Sequence, residues 1–464
     1  MQRIFAIAWL TWKAALRFRL FLVIAVLLLA AVVGLPILVK DDGTARGFTQ
    51  ILLTYTLSAI TGLLGLSTLW LACGTLARDI EECQIQVVAT KPIARWQIWL
   101  GKWLGIVTLN AALLAISGAC VFGLLQWRAA RLPGAEQKVL REEVLVARGS
   151  ARPQNPAAEI DAETRQVLQE RLKSNPELAG SADLPEVEKQ IREQVKAIYQ
   201  IVPPETYRVW HVDLSSQKDS LRDRPLQLRI KFNSAAGGSG RTLTGLWQVG
   251  DPQKLQPWRS EPMSLSPDTF HEFQVPANLL NDKGVLVITF LNVNQGATLL
   301  FPLEDGMEVL FPKGGFALNF ARGLGIIFCW MALLAAIGLM AASFLSFPVA
   351  AFFSMAVLAV VLSSGTLAET VASGSVGVGN EEKGIAGHSA ADVILIPVFK
   401  FIVTVVSLAK GFSPIDSLSS GRAITWGELG AAFGQIVLVL GGFISIIGIV
   451  LFSRRELATA QGNQ

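Results

Sequence analysis

Residues 20–39, 50–74, 100–126, 316–344, 347–367 and 428–452 are apolar runs that each carry at most one charged residue. About 20 such residues are what a helix needs to cross a hydrocarbon core roughly 30 Å thick. Inside lipid every backbone N–H and C=O must be bonded within the segment, so runs like these become helices or do not cross at all. The chain is therefore expected to be an α-helical polytopic membrane protein with about six transmembrane helices. A hydrophobic share of 52% agrees with this. Charge is concentrated between residues 128 and 313, which reads as a water-exposed domain inserted between the third and fourth spans.

The net charge of +4 fits positive flanks at a membrane surface. It does not make the dense basic patch of a nucleic-acid footprint, so no nucleic-acid partner is expected. Cys73, Cys120 and Cys329 lie in or beside apolar runs, and Cys83 lies in a polar joint. No C-x-x-C spacing or disulfide framework exists, and neither a metal nor a cofactor is expected. The run 20–39 exceeds a signal-peptide core and ends in Pro36, Lys40 and Asp41 without a small-x-small site, so it reads as a retained first span.

Residues 1–19 have a helical period. Phe5, Trp9, Trp12 and Leu16 share one face, and Arg3, Lys13 and Arg17 another. Phe5, Trp9, Trp12 and Arg17 are expected to anchor this helix in the lipid headgroup layer. Extending the first span instead would draw its cations into the membrane. Basic residues before the first span, with Arg78, Lys91, Arg95 and Lys102 between the second and third, place both regions in the cytoplasm. Residues 127–315 then lie on the other side. Residues 391–411 hold Pro397 and Lys400 and are short for a span, so they read as a re-entrant hairpin. A seventh crossing would leave Arg454 and Arg455 outside.

The inserted domain has two parts. In 127–204, two amphipathic helices are predicted near 158–173 and 185–201, separated by Asn175-Pro176 and Gly180-Ser181. From residue 205 the period becomes two. Strands are expected at 207–212, 226–232, 269–275 and 285–293, with a tight turn at 281–284. An α+β domain containing a small β-sandwich over 205–315 follows, with a glycan or a protein partner as its candidate ligand.

Catalytic patterns are missing. No Gly-x-x-x-x-Gly-Lys-Ser/Thr loop is present to cradle nucleotide phosphates. His271-Glu272 begins like a zinc-protease motif, but Val275 stands where the second His belongs. His388 and Asp392 could meet on a helix, and a surface pair explains them as well. Arg322 and Glu369, at the margins of the spans, suggest interface residues more than an ion path.

The joint 76–99 remains. It is too polar to span and too regularly patterned for a plain linker. Arg78-Asp-Ile-Glu, Lys91-Pro-x-x-Arg95 and Leu100-Gly-Lys102 follow one another there, with Glu81-Glu82 at the end of the first piece. Phe412-Ser-Pro-Ile-Asp416 and Phe452-Ser-Arg-Arg-Glu-Leu457 occur near the C-terminus. In this order the pieces resemble the permease subunits of type-2 ABC transporters, the exporter-like group associated with copper-enzyme maturation and gliding. Two departures stand out: Cys83 replaces a usual Gly, and the loop between the third and fourth spans is usually short. The resemblance implies a multi-pass protein of a bacterial inner membrane that pairs with a second copy or a related permease. It also implies a separate ABC ATPase chain. Arg78, Asp79, Glu81, Glu82, Lys91, Pro92 and Arg95 would form a helix-turn-helix coupling element that docks on that ATPase. The alternative is a mechanical or scaffolding membrane protein working through the external domain, and a weaker one is a membrane-anchored carbohydrate-binding module.

Overall fold

The computed structural model describes residues 2–17, 19–38, 45–82, 93–140, 144–175, 184–234, 242–251, 257–373, 392–410 and 412–455. Cys83, Lys91, Pro92, Pro176, Gly180, Ser181, His388 and the glycine-rich run 374–391 lie outside the described residues. The chain divides into a helical unit, Met1–Ala147 with Gly314–Gln464, and a second unit, Arg148–Lys313.

The chain begins with helices α1 (Gln2–Arg17), α2 (Arg19–Leu38), α3 (Ala45–Glu81) and α4 (Arg95–Ala129). The second unit contributes α5 (Ala157–Ser174) and α6 (Leu184–Ile198). Then follow α7 (Phe316–Ala342), α8 (Phe347–Leu362), α9 (Ser364–Ser373), α10 (Asp392–Lys410), α11 (Pro414–Ser419) and α12 (Trp426–Arg454). Four of these, over Gly47–Glu81, Arg95–Ala129, Phe316–Ala342 and Trp426–Arg454, are long and apolar enough to cross a membrane. At 37 and 35 residues, α3 and α4 are each about 50–55 Å long, well beyond the hydrocarbon thickness. The expected fifth span is broken after Leu362, where α9 begins. The expected hairpin at 391–411 is instead one helix, α10. Pro397 is accommodated in its second turn, and α10 packs on α9.

Helix α7 is the centre of the helical unit. It touches α3, α4, α8, α11 and α12 and buries Ala332, Ala335, Ala336, Gly338, Ala341 and Ala342. Small residues let backbones approach closely, which is how helices associate when lipid supplies no hydrophobic drive. A Cβ on Gly338 would lie 2.6 Å from that of Ala72 on α3. Gly101 and Gly105 of α4 form a Gly-x-x-x-Gly step that receives Ile7 and Thr11 of α1, where added Cβ atoms would meet theirs at 2.7 Å. Trp12 Nε1 then donates to Thr108 Oγ1 at 2.9 Å. Both chains advance together through these contacts, so α1 runs parallel to α4 and lengthwise along it. The expected interfacial helix is thus seated on α4, with Phe5 and Trp9 left exposed.

In the second unit, the described residues form twelve strands in three sheets, β1 (Val146–Ala151), β2 (Ile201–Val202), β3 (Tyr207–Asp213), β4 (Leu226–Ile230), β5 (Asn233–Ser234), β6 (Leu243–Val249), β7 (Trp258–Arg259), β8 (Met263–Leu265), β9 (His271–Val275), β10 (Val285–Asn292), β11 (Leu299–Leu300) and β12 (Met307–Gly315). Their orders are β1-β12-β4-β9, β3-β10-β6-β7 with β8 also on β6, and β2-β11-β5. Leu228, Ile230, Val275 and Val309 of the first sheet share one core with Trp210, Val212, Trp247, Ile288 and Phe290 of the second. These antiparallel sheets thus share one apolar core. The 281–284 turn closes with Gly284 N donating to Asn281 O at 3.0 Å, and Gly284 takes φ +78°, a conformation that favours glycine. Only β3, β4, β9 and β10 were foreseen in the sequence; β1, β2, β5, β6, β7, β8, β11 and β12 were not.

Candidate functional site: a clamp joining five helix ends

The last turn of α3 carries Arg78, Asp79, Glu81 and Glu82, and the first turns of α4 carry Arg95, Trp99 and Lys102. Neither stretch is a separate helix. The polar end is continuous with the apolar span on both sides, so the described flanks of the expected helix-turn-helix element are two long helix ends. Residues 83–92, with Lys91 and Pro92, lie outside the described residues.

Asp79 Oδ2 accepts from Lys102 Nζ at 2.5 Å, and the same ammonium donates to Thr75 O at 2.8 Å. Lys102 is 7% exposed. A buried ammonium is tolerated only when its protons are taken up, and here a carboxylate and a carbonyl of α3 take them. The pair cross-links α3 to α4.

Glu81 reaches a different helix. Its Oε1 accepts from the backbone N–H of Phe347, the first residue of α8, at 2.9 Å. Helix N-termini leave unbonded N–H groups and partial positive charge, and a carboxylate answers both. Beside it, the guanidinium of Arg78 sits 4.6 Å from the centroid of the Phe347 ring. The end of α3 is thus fixed to the start of α8 by a hydrogen bond and a cation–π contact.

Arg95 answers the opposite need. Its Nη1 donates to the carbonyls of Phe452 (3.2 Å), Ser453 (2.8 Å) and Arg455 (2.8 Å) at the end of α12. The last carbonyls of a helix have no intrahelical partner and carry partial negative charge, so a guanidinium there is stabilising. Arg455 repeats the device on the end of α7, donating from Nη1 to Ala342 O and Ser343 O at 3.4 Å each. Trp99 Nε1 donates to Ser343 Oγ at 3.3 Å, and its ring packs on Gly448. The ends of α3, α4, α7, α8 and α12 therefore meet in one clamp.

The sequence-predicted residues sort as follows. Arg78, Asp79, Glu81 and Arg95 come together, each in contact with another helix of the unit. Glu82 is exposed on the last turn, as is Trp96 beside Arg95. Of the expected anchors, Phe5 and Trp9 are 62% and 60% exposed and Arg17 is also exposed, while Trp12 is held by Thr108. Lys102, Trp99, Phe347 and Arg455 belong to the clamp and were not singled out as site residues. Asp79 lies near the end of α3 and Lys102 about two turns into α4, and no equal spacing from the joint marks them as a pair in the sequence. Nothing local marks Phe347.

At the other end of α7, Asn319 Nδ2 donates to Arg422 O and Asn319 Oδ1 accepts from Ile424 N. Arg322 donates to Ile424 O at 2.8 Å with its guanidinium over Trp426. These bonds hold α11 and the start of α12 against the N-terminal turns of α7. Asp416 serves its own short helix, accepting from Ser413 Oγ.

In the second unit, Glu272 accepts from Arg148 Nη1 at 2.9 Å and lies 3.8 Å from Arg229 Nε, while His271 Nε2 lies 2.8 Å from Ser266 O. The apparent zinc-protease start is a charged ladder across a sheet. Among the described residues no group of three or more His, Cys, Asp or Glu side chains is placed to hold a metal. Compared with models of known families, with curated proteins and with solved structures, the chain matches none.

Proposed function

We propose that this chain is the membrane subunit of an ABC transporter of the type-2 exporter class, driven by a separate ATPase chain and itself hydrolysing nothing. One observation carries the reading. Arg95 meets the Phe-x-Arg-Arg piece 357 to 360 positions away and the Arg-Asp-Ile-Glu piece meets Phe347 266 positions on, all in a single clamp. A push delivered near residues 83–92 would reach five helices at once, because packed helix ends move as rigid bodies. Docking itself falls to exposed groups flanking that joint, such as Glu82 and Trp96. Arg78, Asp79, Glu81 and Arg95 relay the push.

In this reading the clamp faces the cytoplasm, where Arg78, Arg95, Lys102, Arg454 and Arg455 satisfy the positive-inside trend. Helix α8 starts at the clamp, and α11 is held at the opposite end of α7. The chain between them makes one net passage, which supports six crossings in total with α9 and α10 not adding a seventh. The second unit then lies outside the cytoplasm, in a bacterial inner membrane, and the permease works as a pair.

The test is isolation of the tagged chain with its partners. A P-loop ATPase is expected to co-purify, and Glu82→Lys with Trp96→Glu should release it while the permease stays folded in the membrane. Retention at wild-type levels in the double variant would remove the docking assignment. The second reading, a mechanical relay to an external partner, is favoured by the self-contained core of the second unit. It predicts ATP hydrolysis without movement of any candidate cargo in proteoliposomes, and loss of function when residues 148–313 are deleted.

A further inference from the structure

A cavity of about 270 Å³ lies among α1, α2, α3 and α4. Ala15, Ile24, Trp70, Leu71, Leu109 and Leu113 make most of its wall. Ser67, Thr75 and Asn110 add hydroxyl and amide groups. Its one charged lining residue, among those described, is Arg78 at the clamp end. Small-molecule sites run from about 300 Å³ upward with apolar walls and a few placed polar groups, so this volume suits part of a ligand whose remainder lies outside.

We propose that the cavity binds one acyl chain of an anionic phospholipid, with the phosphate at Arg78. The wall matches a hydrocarbon chain, and α1, α2 and α3 turn exposed Phe5, Trp9, Val26, Leu29 and Trp70 outward, as a lipid-bathed surface requires. A guanidinium presents a planar fork of donors that fits phosphate oxygens, and anionic lipid is concentrated in the leaflet facing the cytoplasm. The site also has a consequence. Arg78 touches Phe347 and is followed three residues on by Glu81, which holds the start of α8. A phosphate at Arg78 would therefore bias the α3–α8 joint, making the clamp sensitive to the charge of the surrounding lipid. The proposal rests on membrane placement of the helical unit with the clamp at the cytoplasmic face, as in the reading above, and not on the ATPase.

The test uses the full chain purified in detergent and its thermal unfolding midpoint with added phosphatidylglycerol or phosphatidylcholine. For the wild type, phosphatidylglycerol should raise the midpoint by several degrees more than phosphatidylcholine. Arg78→Gln should abolish that preference, and Arg78→Lys should restore part of it. Ser67→Phe, which fills the cavity and leaves every charge in place, should also abolish it. Equal stabilisation of the wild type by both lipids overturns the proposal. So does a preference that survives in Ser67→Phe, which would mark lipid held by surface charge alone. Should Arg78→Gln fold poorly, the Ser67→Phe result decides.

Discussion

The two units are held together by opposite means. In the second unit, large aromatic side chains fill one apolar layer between two sheets, with Trp247 and Phe290 rings 4.6 Å apart and Trp210 against Phe301 at 5.2 Å. The helical unit also buries large side chains such as Leu53, Leu57, Trp99 and Phe452, but its helix backbones approach closely at Gly101, Gly105 and Gly338, and its charged side chains satisfy helix ends. Placement of the helical unit in a membrane, as proposed above, would account for the contrast. An aqueous domain gains about 25 cal/mol per Å² of apolar surface buried, so it accumulates large side chains in its core. Helices surrounded by hydrocarbon gain little that way and rely on close backbone contact and on satisfying their terminal N–H and C=O groups.

That contrast can be broken at four places. The largest effect is expected for Trp247→Ala, which opens a cavity in the core shared by the sheets and should cost about 3–5 kcal/mol. Hydrogen exchange on the intact protein should show β6 and β10 losing protection while α3, α4 and α7 keep theirs. Loss of protection in both units would mean the cores are not separate.

Next is Asp79→Ala. It leaves a buried ammonium with one carbonyl partner and should cost about 2–4 kcal/mol, discounted because Asp79 is a third exposed. The double variant Asp79→Ala with Lys102→Met should recover most of the loss in thermal unfolding, since a matched apolar pair carries no stranded charge. No recovery would mean the two residues are not coupled.

Gly105→Leu should cost about 1–3 kcal/mol by overpacking against Thr11 and the Ala8 carbonyl. Gly123→Leu is the control, because nothing lies within 4 Å of a Cβ there. Equal effects of the two would contradict the lengthwise seating of α1.

The smallest effect concerns acid. Hydrogen bonds from the Ser215 side chain and backbone hold the Asp213 carboxyl below its ordinary value of 3.8. Its contribution is therefore complete above pH 3.8 and lost as pH falls through the lowered value. Asp213→Asn should reduce acid sensitivity of the β3–β10 edge slightly, read by hydrogen exchange, and leave the helical unit unchanged.

Much of the fold was legible because the signals are periodic. The alternation at 207–212, 226–232 and 285–293 returned as β3, β4 and β10, and the helices near 158–173 and 185–201 as α5 and α6. Strand β6 escaped because Gly245 interrupts its pattern. Yet glycine is what the fold needs there: a Cβ would lie 2.1 Å from the Phe290 ring. At the joint 76–99 the sequence picked out residues that the fold brings together, but not the partners that hold them. Charged residues at a polar joint look like a surface, and only the three-dimensional arrangement shows Arg95 spending its guanidinium on carbonyls 357 to 360 positions away. Contacts that distant leave no local trace. For the same reason the partner of α1 was not foreseen: its Trp and Arg residues suggest a membrane surface, and the Gly-x-x-x-Gly step that receives it lies on α4.

The proposed drive is tested most directly by isolating the tagged full-length chain from its native membrane and measuring subunit stoichiometry and ATP hydrolysis on one sample, beside Arg95→Ala. The expected result is a separate P-loop ATPase at near-equal copy number in both, with hydrolysis in the Arg95→Ala sample uncoupled from cargo movement or from the state of the second unit. A wild-type preparation with no nucleotide-hydrolysing partner would contradict it.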